Sequence, residues 1–354
     1  MIKKLVFFIV SALFLISCWD RSEIENKNIV SLIGYDSIDK SEDGNKVKLI
    51  LVTPTAGDQE NTETDITISA DGKTFNDALD NISRESSKEV SLDQVKIFLI
   101  RKELLNEQGI ISEVFDSLLR NPYINRKTYM VAVDSNISDL ISKREDSNES
   151  IKNYITGLLK NYTSNSQGSI FDINNFLLGY QENKDMLIPT LSQSGDQVAI
   201  DYFIAFNNSG IKKDISMENF KICQILKGKN IPILVTMPDE KVDVSLNNNH
   251  RKINLNKNNL DISLSLVGEI KQKQNNNFDI NRITSHLNEH LNDNIEKVLS
   301  ICSDYDIDLL GLYDYFYKFH PGVFDKLDLS NSIYHKINIS TDANVRIDSK
   351  GESN

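Results

Sequence analysis

The chain has few of the residues that build disulfide, metal or catalytic sites. Its 354 residues include three cysteines, five histidines and one tryptophan. Cys18 closes an N-terminal apolar run, which leaves Cys223 and Cys302, and two distant cysteines form neither a disulfide framework nor a zinc spacing. The two thiols could pair after export or stay buried and free, and both alternatives remain open.

The chain is also short of positive charge. Lysine and arginine number 39 against 51 aspartates and glutamates, which gives a net charge of −12. Nucleic acid is therefore disfavoured as a partner, because phosphate binding needs clustered cations. The same balance disfavours adsorption of the whole chain to anionic lipid by charge alone. After residues 5–16 no segment is long and apolar enough to cross a bilayer, so we expect a peripheral protein.

The N-terminus has the pattern of a lipoprotein signal peptide over residues 1–17. Two lysines precede the uncharged residues 5–16, a run well below the roughly 20 residues of a spanning helix. The run ends in a sequence that resembles a bacterial lipobox: Leu15, Ile16, Ser17 and Cys18. We therefore expect diacylglycerol on the Cys18 thiol and an acyl group on its new amino terminus, with no other cofactor. A plain secretory signal with an incidental cysteine is the alternative. Removing the signal takes the net charge from −12 to −14.

The apolar periodicity predicts an α+β fold of three mixed α/β domains with largely antiparallel sheets. The predicted boundaries are 18–134 for an N-terminal domain, 135–196 for a smaller helix-rich domain and 197–354 for a C-terminal domain. In the first domain, strands alternate with helices around residues 75–82 and 110–119, with Thr74 and Asp77 as a capping pair. In the second, residues 162–168 form a polar loop between two helices.

The last predicted domain has strands that alternate apolar and polar residues. Residues 242–246 and 260–266 alternate in this way, which favours an antiparallel sheet with one solvated face. A long amphipathic helix follows over 283–302, and residues 337–347 suggest a final strand pair. The asparagine clusters at 247–249 and 275–277 are interpreted as turns between strands.

One histidine pair has a spacing that zinc sites use. His286 and His290 lie four residues apart on the long helix and share one face. The metalloprotease motif needs glutamate directly after the first histidine, whereas Glu289 precedes the second. Because Leu287 and Leu291 mark the core stripe of the helix, we expect both histidines toward its solvent side.

Three alternating aspartates resemble the start of a calcium loop: Asp304, Asp306 and Asp308. An EF-hand also needs glycine at its sixth position and glutamate at its twelfth, where this chain has Leu309 and Tyr315. We therefore expect these acids to cap the following helix. The chain also lacks a Gly-x-Ser-x-Gly elbow and a phosphate-binding Gly-Lys-Ser/Thr loop, so the sequence predicts no enzyme and no metal site.

Four segments resemble one known family. Residues 18–25 read Cys-Trp-Asp-Arg-Ser-Glu-Ile-Glu, which resembles the start of the mature Ger(x)C proteins. The other similar segments are 93–100 with 109–111, 118–122 with Arg126, and 308–312 with His320 and Pro321. The chain is thereby identified as a member of the Ger(x)C family, the lipoprotein C subunits of nutrient germinant receptors in endospore-forming bacteria.

The resemblance implies a lipid-anchored protein on the outer face of the spore inner membrane. It implies A and B membrane subunits as partners, a role in receptor assembly or signal relay during germination, and no enzymatic activity. Whether this subunit also binds a nutrient directly is left open. A lipid-anchored solute-binding protein of a transporter is the alternative function, although its two parallel-sheet lobes fit the alternating strands less well. An envelope-anchored enzyme is the third candidate, and no residue set supports it.

Overall fold

The structure is a computed structural model of the chain. It describes residues 26–37, 47–56, 63–143, 149–166, 171–194, 197–237, 242–273, 279–329 and 332–348. The predicted signal peptide, Cys18 and the predicted turn at 275–277 lie outside the described residues.

The described chain mixes strands and helices throughout. The strands are β1 (Lys27–Ile29), β2 (Leu32–Ser37), β3 (Val47–Ala56), β4 (Glu63–Gly72), β5 (Glu89–Ser91), β6 (Ile97–Arg101), β7 (Tyr129–Val133), β8 (Met186–Ser194), β9 (Gln197–Asn207), β10 (Gly210–Ser216), β11 (Ile233–Met237), β12 (Val242–Asn256), β13 (Asn259–Lys273) and β14 (Asn338–Asp348). The helices are α1 (Phe75–Glu85), α2 (Gln108–Arg120), α3 (Ile137–Ser142), α4 (Ile151–Ser166), α5 (Ile173–Gln181), α6 (Met217–Leu226), α7 (Ile280–Asp304), α8 (Leu312–Phe319) and α9 (Pro321–Lys326), with a 3-10 helix at Lys102–Asn106.

Eight of these strands form one mixed sheet, in the order β10-β9-β8-β7-β6-β2-β3-β4. Its four central strands, β2, β6, β7 and β8, run parallel, and the flanking strands pair antiparallel. A second sheet has the order β11-β12-β13-β14, and β1 pairs with β5. The predicted α+β class is confirmed. The sheets, expected to be largely antiparallel, are mixed, because crossover connections through helices make the central strands of the large sheet parallel.

The central strands have nearly continuous apolar sequences because helices cover both faces of their sheet. In β6, Phe98 and Ile100 face the core under α1, α2 and α5, whereas Ile97 and Leu99 face the core under α3 and α4. All four side chains are fully buried. Burial of each such side chain stabilises the fold by about 1.5–3 kcal/mol.

Local signals set the ends of the first two long helices as predicted. At the start of α1 the Asp77 N–H donates to Thr74 Oγ1 at 3.2 Å, and the Asp77 carboxylate accepts from the Lys73 N–H at 2.8 Å. These bonds satisfy amides that lack an intrahelical partner. Helix α2 ends at Arg120, just before Asn121 and Pro122, because proline cannot continue the helix.

The eight-stranded sheet extends across the predicted domain boundaries at 134 and 196. Strand β8 pairs with β7, and β9 and β10 continue the sheet from β8. Residues 135–196 therefore contribute α3, α4, α5 and β8 to the same two cores as the N-terminal strands. We call residues 26–216 the sheet unit and residues 217–348 the C-terminal unit.

Helix α4 is longer than predicted, since it includes residues 162–166 of the expected polar loop. The Tyr162 ring lies 5.6 Å from the Phe203 ring and 5.9 Å from the Phe220 ring. The contacts of the Tyr162 ring stabilise an additional helical turn in a polar sequence. Tertiary packing thus overrides the local propensity of residues 162–166.

Two expectations for the second sheet are wrong. Residues 337–347 form the single strand β14, parallel to β13, rather than a strand pair. The alternating pattern cannot reveal strand direction, which follows from the crossover through α7, α8 and α9. Residues 247–249 lie within β12 next to a bulge, and the chain turns instead at Lys257, whose φ is 57°.

The C-terminal unit folds its second sheet against α7. The predicted apolar stripe of this helix is confirmed, and its members are all buried: Ile283, Leu287, Leu291, Ile295, Val298 and Cys302. The same core takes in Phe203 and Ala205 of β9, so it reaches into the sheet unit.

Helix α1 packs so closely on β4 at Gly72 that a side chain there would not fit. A substitution at Gly72 therefore tests this packing. A Cβ there would lie 2.7 Å from the Ala78 Cα, and the conflict is with backbone rather than a mobile side chain. We expect Gly72→Ala to lower the free energy of unfolding by about 1–3 kcal/mol in urea denaturation. Gly157→Ala is the matched control, because that site in α4 is open, and it should stabilise by about 0.5–1 kcal/mol. Equal stability of the two variants would contradict this packing.

Candidate functional site

A mainly polar concave region lies where the two units meet, and we call it the junction. Its sheet-unit side is the turn between α5 and β8, and its C-terminal side is the segment before α8 together with Tyr334. Asn183 follows the C-cap of α5 and is in the left-handed region with φ 51°, and the Lys184 N–H donates to the Gly179 carbonyl at 2.8 Å. This turn presents Lys184 and Asp185 to the C-terminal unit.

Asp185 carries the central hydrogen bond of the junction. Its Oδ2 accepts from the Asp308 N–H at 2.7 Å, and its Oδ1 accepts from Asn207 Nδ2 at 2.9 Å. Burial raises the pKa of Asp185 above its ordinary value, and these two hydrogen bonds partly offset the rise. The carboxylate thus connects the two units through residues that are 123 positions apart in sequence.

On the C-terminal side of the junction, the Asp308 carboxylate accepts three hydrogen bonds. It accepts from the Leu312 N–H at 2.9 Å and the Tyr313 N–H at 2.8 Å, and the Tyr334 hydroxyl donates to it at 3.0 Å. Gly311, at the N-cap of α8, has φ 70° and no side chain to satisfy these amides. The acid three residues earlier does so in its place.

A lysine adds an ion pair across the junction. Lys184 Nζ lies 2.8 Å from Asp314 Oδ1, and it also pairs closely with Glu182. The same nitrogen lies 5.6 Å from the centre of the Tyr313 ring, within range of a cation–π contact. Because these groups are partly exposed, the pair orients the two units more than it stabilises them.

Two cavities adjoin at Lys184. The first, of about 570 Å³, is mainly polar and includes Asp185, Lys212, Asp308 and Tyr334 in its wall. The second, of about 600 Å³, has a more apolar wall. Acidic and basic groups face the first cavity together, so it could receive a small molecule that carries both charges.

The apolar side of the junction is an aromatic stack. The rings of Phe203 in β9 and Phe220 in α6 stack at 3.8 Å with an interplanar angle of 8°, and Tyr162 packs on both. Such pairs add about 0.5–1.5 kcal/mol beyond the area that they bury. The junction thus has one apolar and one polar contact region. A further contact between the units lies outside it, where Lys213 Nζ donates to the Tyr305 hydroxyl at 2.8 Å.

The histidine pair lies on the outer side of α7. His290 is exposed, its Nε2 lies 3.1 Å from Asn294 Nδ2, and it lies 3.5 Å from a Glu218 carboxylate oxygen. His286 is half-buried. In the part of the chain that the structure describes, no group of three or more His, Cys, Asp or Glu side chains could hold a metal ion.

The three aspartates separate in the structure. Asp308 caps α8 as predicted, whereas Asp304 accepts from Ser300 Oγ at 2.9 Å. Asp306 is exposed in a turn with φ 48°. The alternating spacing therefore reflects the end of α7 and the start of α8.

Both remaining cysteines are buried and free, Cys223 on α6 and Cys302 on α7. Burial raises the pKa of Cys223 and raises that of Cys302 to about 12. Thiols with raised pKa values are poor nucleophiles at neutral pH, so the two act as core side chains.

Sequence reasoning missed most of the junction. Lys184, Asp185 and Tyr334 belong to no motif, and each finds its partners far along the chain. Asp308 alone had a local signal, as an acid shortly before a helix.

The fold and the junction define a mixed α/β protein of two connected units, in which the described residues show no catalytic set. Residues 20–193 match the family described as the spore germination protein N-terminal domain, and residues 204–351 match the spore germination B3/GerAC-like C-terminal family. The chain belongs to the Ger(x)C family of spore germination proteins.

Two known proteins are similar to this chain. The spore germination protein GerQC of Bacillus cereus is 21% identical over 225 residues, which are 63% of this chain and 61% of that protein. The chain thus matches less than two thirds of the length of this relative. The crystal structure of the GerBC protein aligns with a TM-score of 0.57 and 14% identity, covering 89% of this chain and 97% of that one. At this identity the likeness shows a shared fold.

Tyr334 gives a pH-dependent test of the junction. Burial and the nearby Asp308 raise its pKa well above the ordinary value, so the phenol stays protonated in the folded state at pH values where the unfolded chain ionises. At neutral pH, Tyr334→Phe should cost about 1–2 kcal/mol through the lost hydrogen bond.

Above about pH 10, ionisation of the unfolded phenol lowers the stability of the wild type but not of the variant. The wild-type advantage should therefore shrink by about 1.4 kcal/mol by about pH 11. Urea denaturation at several pH values measures the difference, with Tyr123→Phe, at an exposed tyrosine, as the control. A wild-type advantage that does not change with pH would exclude a buried phenol at this position.

Proposed function

We propose that the chain is the lipid-anchored C subunit of a nutrient germinant receptor, acting in receptor assembly or signal relay during spore germination. The observation that carries this proposal is the match of its N- and C-terminal regions to spore germination families over residues 20–193 and 204–351. Its partners would be the A and B membrane subunits. It would lie on the outer face of the spore inner membrane and catalyse no reaction.

The anchor in this proposal is a diacylglycerol group on Cys18, with an acyl group on the new amino terminus. Among the described residues, no helix is long and apolar enough to cross a membrane. Two or more acyl chains hold a protein stably at a bilayer, whereas one gives only marginal binding. The lipobox at residues 15–18 supports such an anchor.

The junction supports a role in relay or assembly. Its contacts between the two units include the hydrogen bond from the Asp308 N–H to the Asp185 carboxylate, the Lys184–Asp314 ion pair and the Phe203–Phe220 stack. A force on the C-terminal unit would act first on these contacts, because the strands of each unit pair within their own sheet. A change in their geometry is the means by which one unit could signal to the other.

A solute-binding protein of a transporter is the second candidate function. The observation that favours it is the polar cavity of about 570 Å³, whose wall carries charges of both signs. Tight binding of an amino acid or a sugar to the purified protein, measured by calorimetry, would favour this function over a receptor subunit. Loss of that binding in Asp185→Ala would locate the site at the junction.

Replacement of Cys18 tests the anchor. Cys18→Ala removes the thiol that receives the lipid, so the variant should lose incorporation of a clickable palmitate analogue and should either leave the membrane fraction or remain unprocessed. Labelling and membrane fractionation without detergent measure both effects.

Cys223→Ala is the matched control, because this thiol is buried in the folded core and should not affect labelling. Full membrane retention of processed Cys18→Ala would contradict a lipid anchor at Cys18.

A further inference from the structure

The parallel strands of the sheet unit begin at one common edge. Leu32 of β2 lies level with Ile97 of β6, which lies level with Tyr129 of β7. We call the surface at these strand beginnings the tether edge; it is one end of the sheet and not a lateral edge strand. It comprises this line, Lys27 and the segments 86–96 and 121–128, which lead into β6 and β7. Strand β4 crosses the same line at Thr67, because Val52, level with Leu32, pairs with Thr67, and residues 63–66 of β4 lie beyond the line.

The described chain enters the fold at the tether edge. Strand β1 pairs with β5, and Asn28 Nδ2 donates to Ser86 Oγ at 2.9 Å, at the C-terminal end of α1. Asn26 follows Cys18 by eight positions, and eight residues span at most roughly 28 Å. A lipid on Cys18 therefore limits how far the tether edge can lie from the bilayer.

The tether edge is cationic, although the chain carries a net charge of −12. Lys27 and the two segments contain five lysines and arginines against two acids, Glu89 and Asp93. Two further acids lie at this end of the sheet and are hydrogen-bonded: Asp65 of β4 accepts from the Ile151 N–H, and Asp172, which bridges to Tyr129, caps α5. Lys88, Lys96 and Lys127 are exposed, whereas Glu89 lies 4.0 Å from Lys27. This local excess matches an anionic surface, which the chain as a whole would repel.

Apolar side chains flank these lysines. Tyr123, in the segment before β7, is 64% exposed, and Ile66, near the start of β4, is 51% exposed. Tyr123 and Ile66 lie on opposite sides of the start of β2, since β2 lies between β7 and β4 in the sheet. Tyrosine beside lysine is the combination that settles at the boundary between lipid headgroups and acyl chains.

We propose that the tether edge lies against the anionic lipid surface in which Cys18 is anchored. The proposal rests on the lipid anchor proposed above and adds an orientation and a second membrane contact. An acyl anchor and a basic patch together bind a membrane more stably than either alone. The carboxyl ends of β6 and β7, near the 3-10 helix at Lys102–Asn106, then point away from the bilayer.

Fluorescence quenching in vesicles tests this orientation. The full lipid-carrying protein, labelled at Tyr123→Cys or Lys127→Cys, is reconstituted in vesicles of phosphatidylcholine and phosphatidylglycerol that contain spin-labelled lipid. Glu103→Cys, at the opposite edge, is the matched control, and the buried Cys223 and Cys302 should react slowly with the dye. We expect loss of fluorescence at the two tether-edge positions and none at Glu103.

Removing the charge tests the lipid contact separately. Each lysine near an anionic surface strengthens adsorption about five-fold, so joint replacement of Lys88, Lys96 and Lys127 by glutamine should reduce quenching at Tyr123→Cys. Vesicles of phosphatidylcholine alone should give the same reduction with the native lysines.

The outcomes separate this proposal from the anchor. Vesicle-bound protein with equal quenching at both edges, or quenching unaffected by the lysine changes, would overturn the proposed orientation and leave the lipid anchor in place. Protein that does not float with the vesicles would overturn both. Protection of the tether edge only in membranes that contain other receptor subunits would assign it to a protein partner instead.

Discussion

Burial of both faces of the central parallel strands is the constraint on which the rest of the structure depends. The strands β2, β6 and β7 have no solvated face, because α1, α2 and α5 cover one side and α3 and α4 cover the other. Functional groups are therefore confined to the ends and margins of this sheet. The tether edge occupies one end, and the junction forms at the margin made by β8 and β9.

The junction couples two units whose sheets do not pair with each other. The Asp308 N–H donates a hydrogen bond to the Asp185 carboxylate, while the Phe203 and Phe220 rings provide the apolar contact. Such a connection is specific, because each polar partner is satisfied by a group from another element.

The sequence predicted the features that depend on residues close together in the chain. The cap at Thr74, the end of α2 before Pro122 and the apolar stripe of α7 follow from spacing within one or two turns. The direction of β14, the extension of α4 to Ser166 and the partners of Asp185 depend on residues far along the chain, and no local pattern encodes them. For Cys18 the sequence remains the only guide, since this residue lies outside the described ranges.

The most direct test of the proposed receptor role is a germination assay on spores that lack this gene. We expect the deletion to abolish or severely delay the response to at least one nutrient in a panel of amino acids, sugars and nucleosides, while germination by non-nutrient triggers is retained. A wild-type copy should restore that response. Normal germination of the deletion spores with every nutrient would contradict the proposed receptor role.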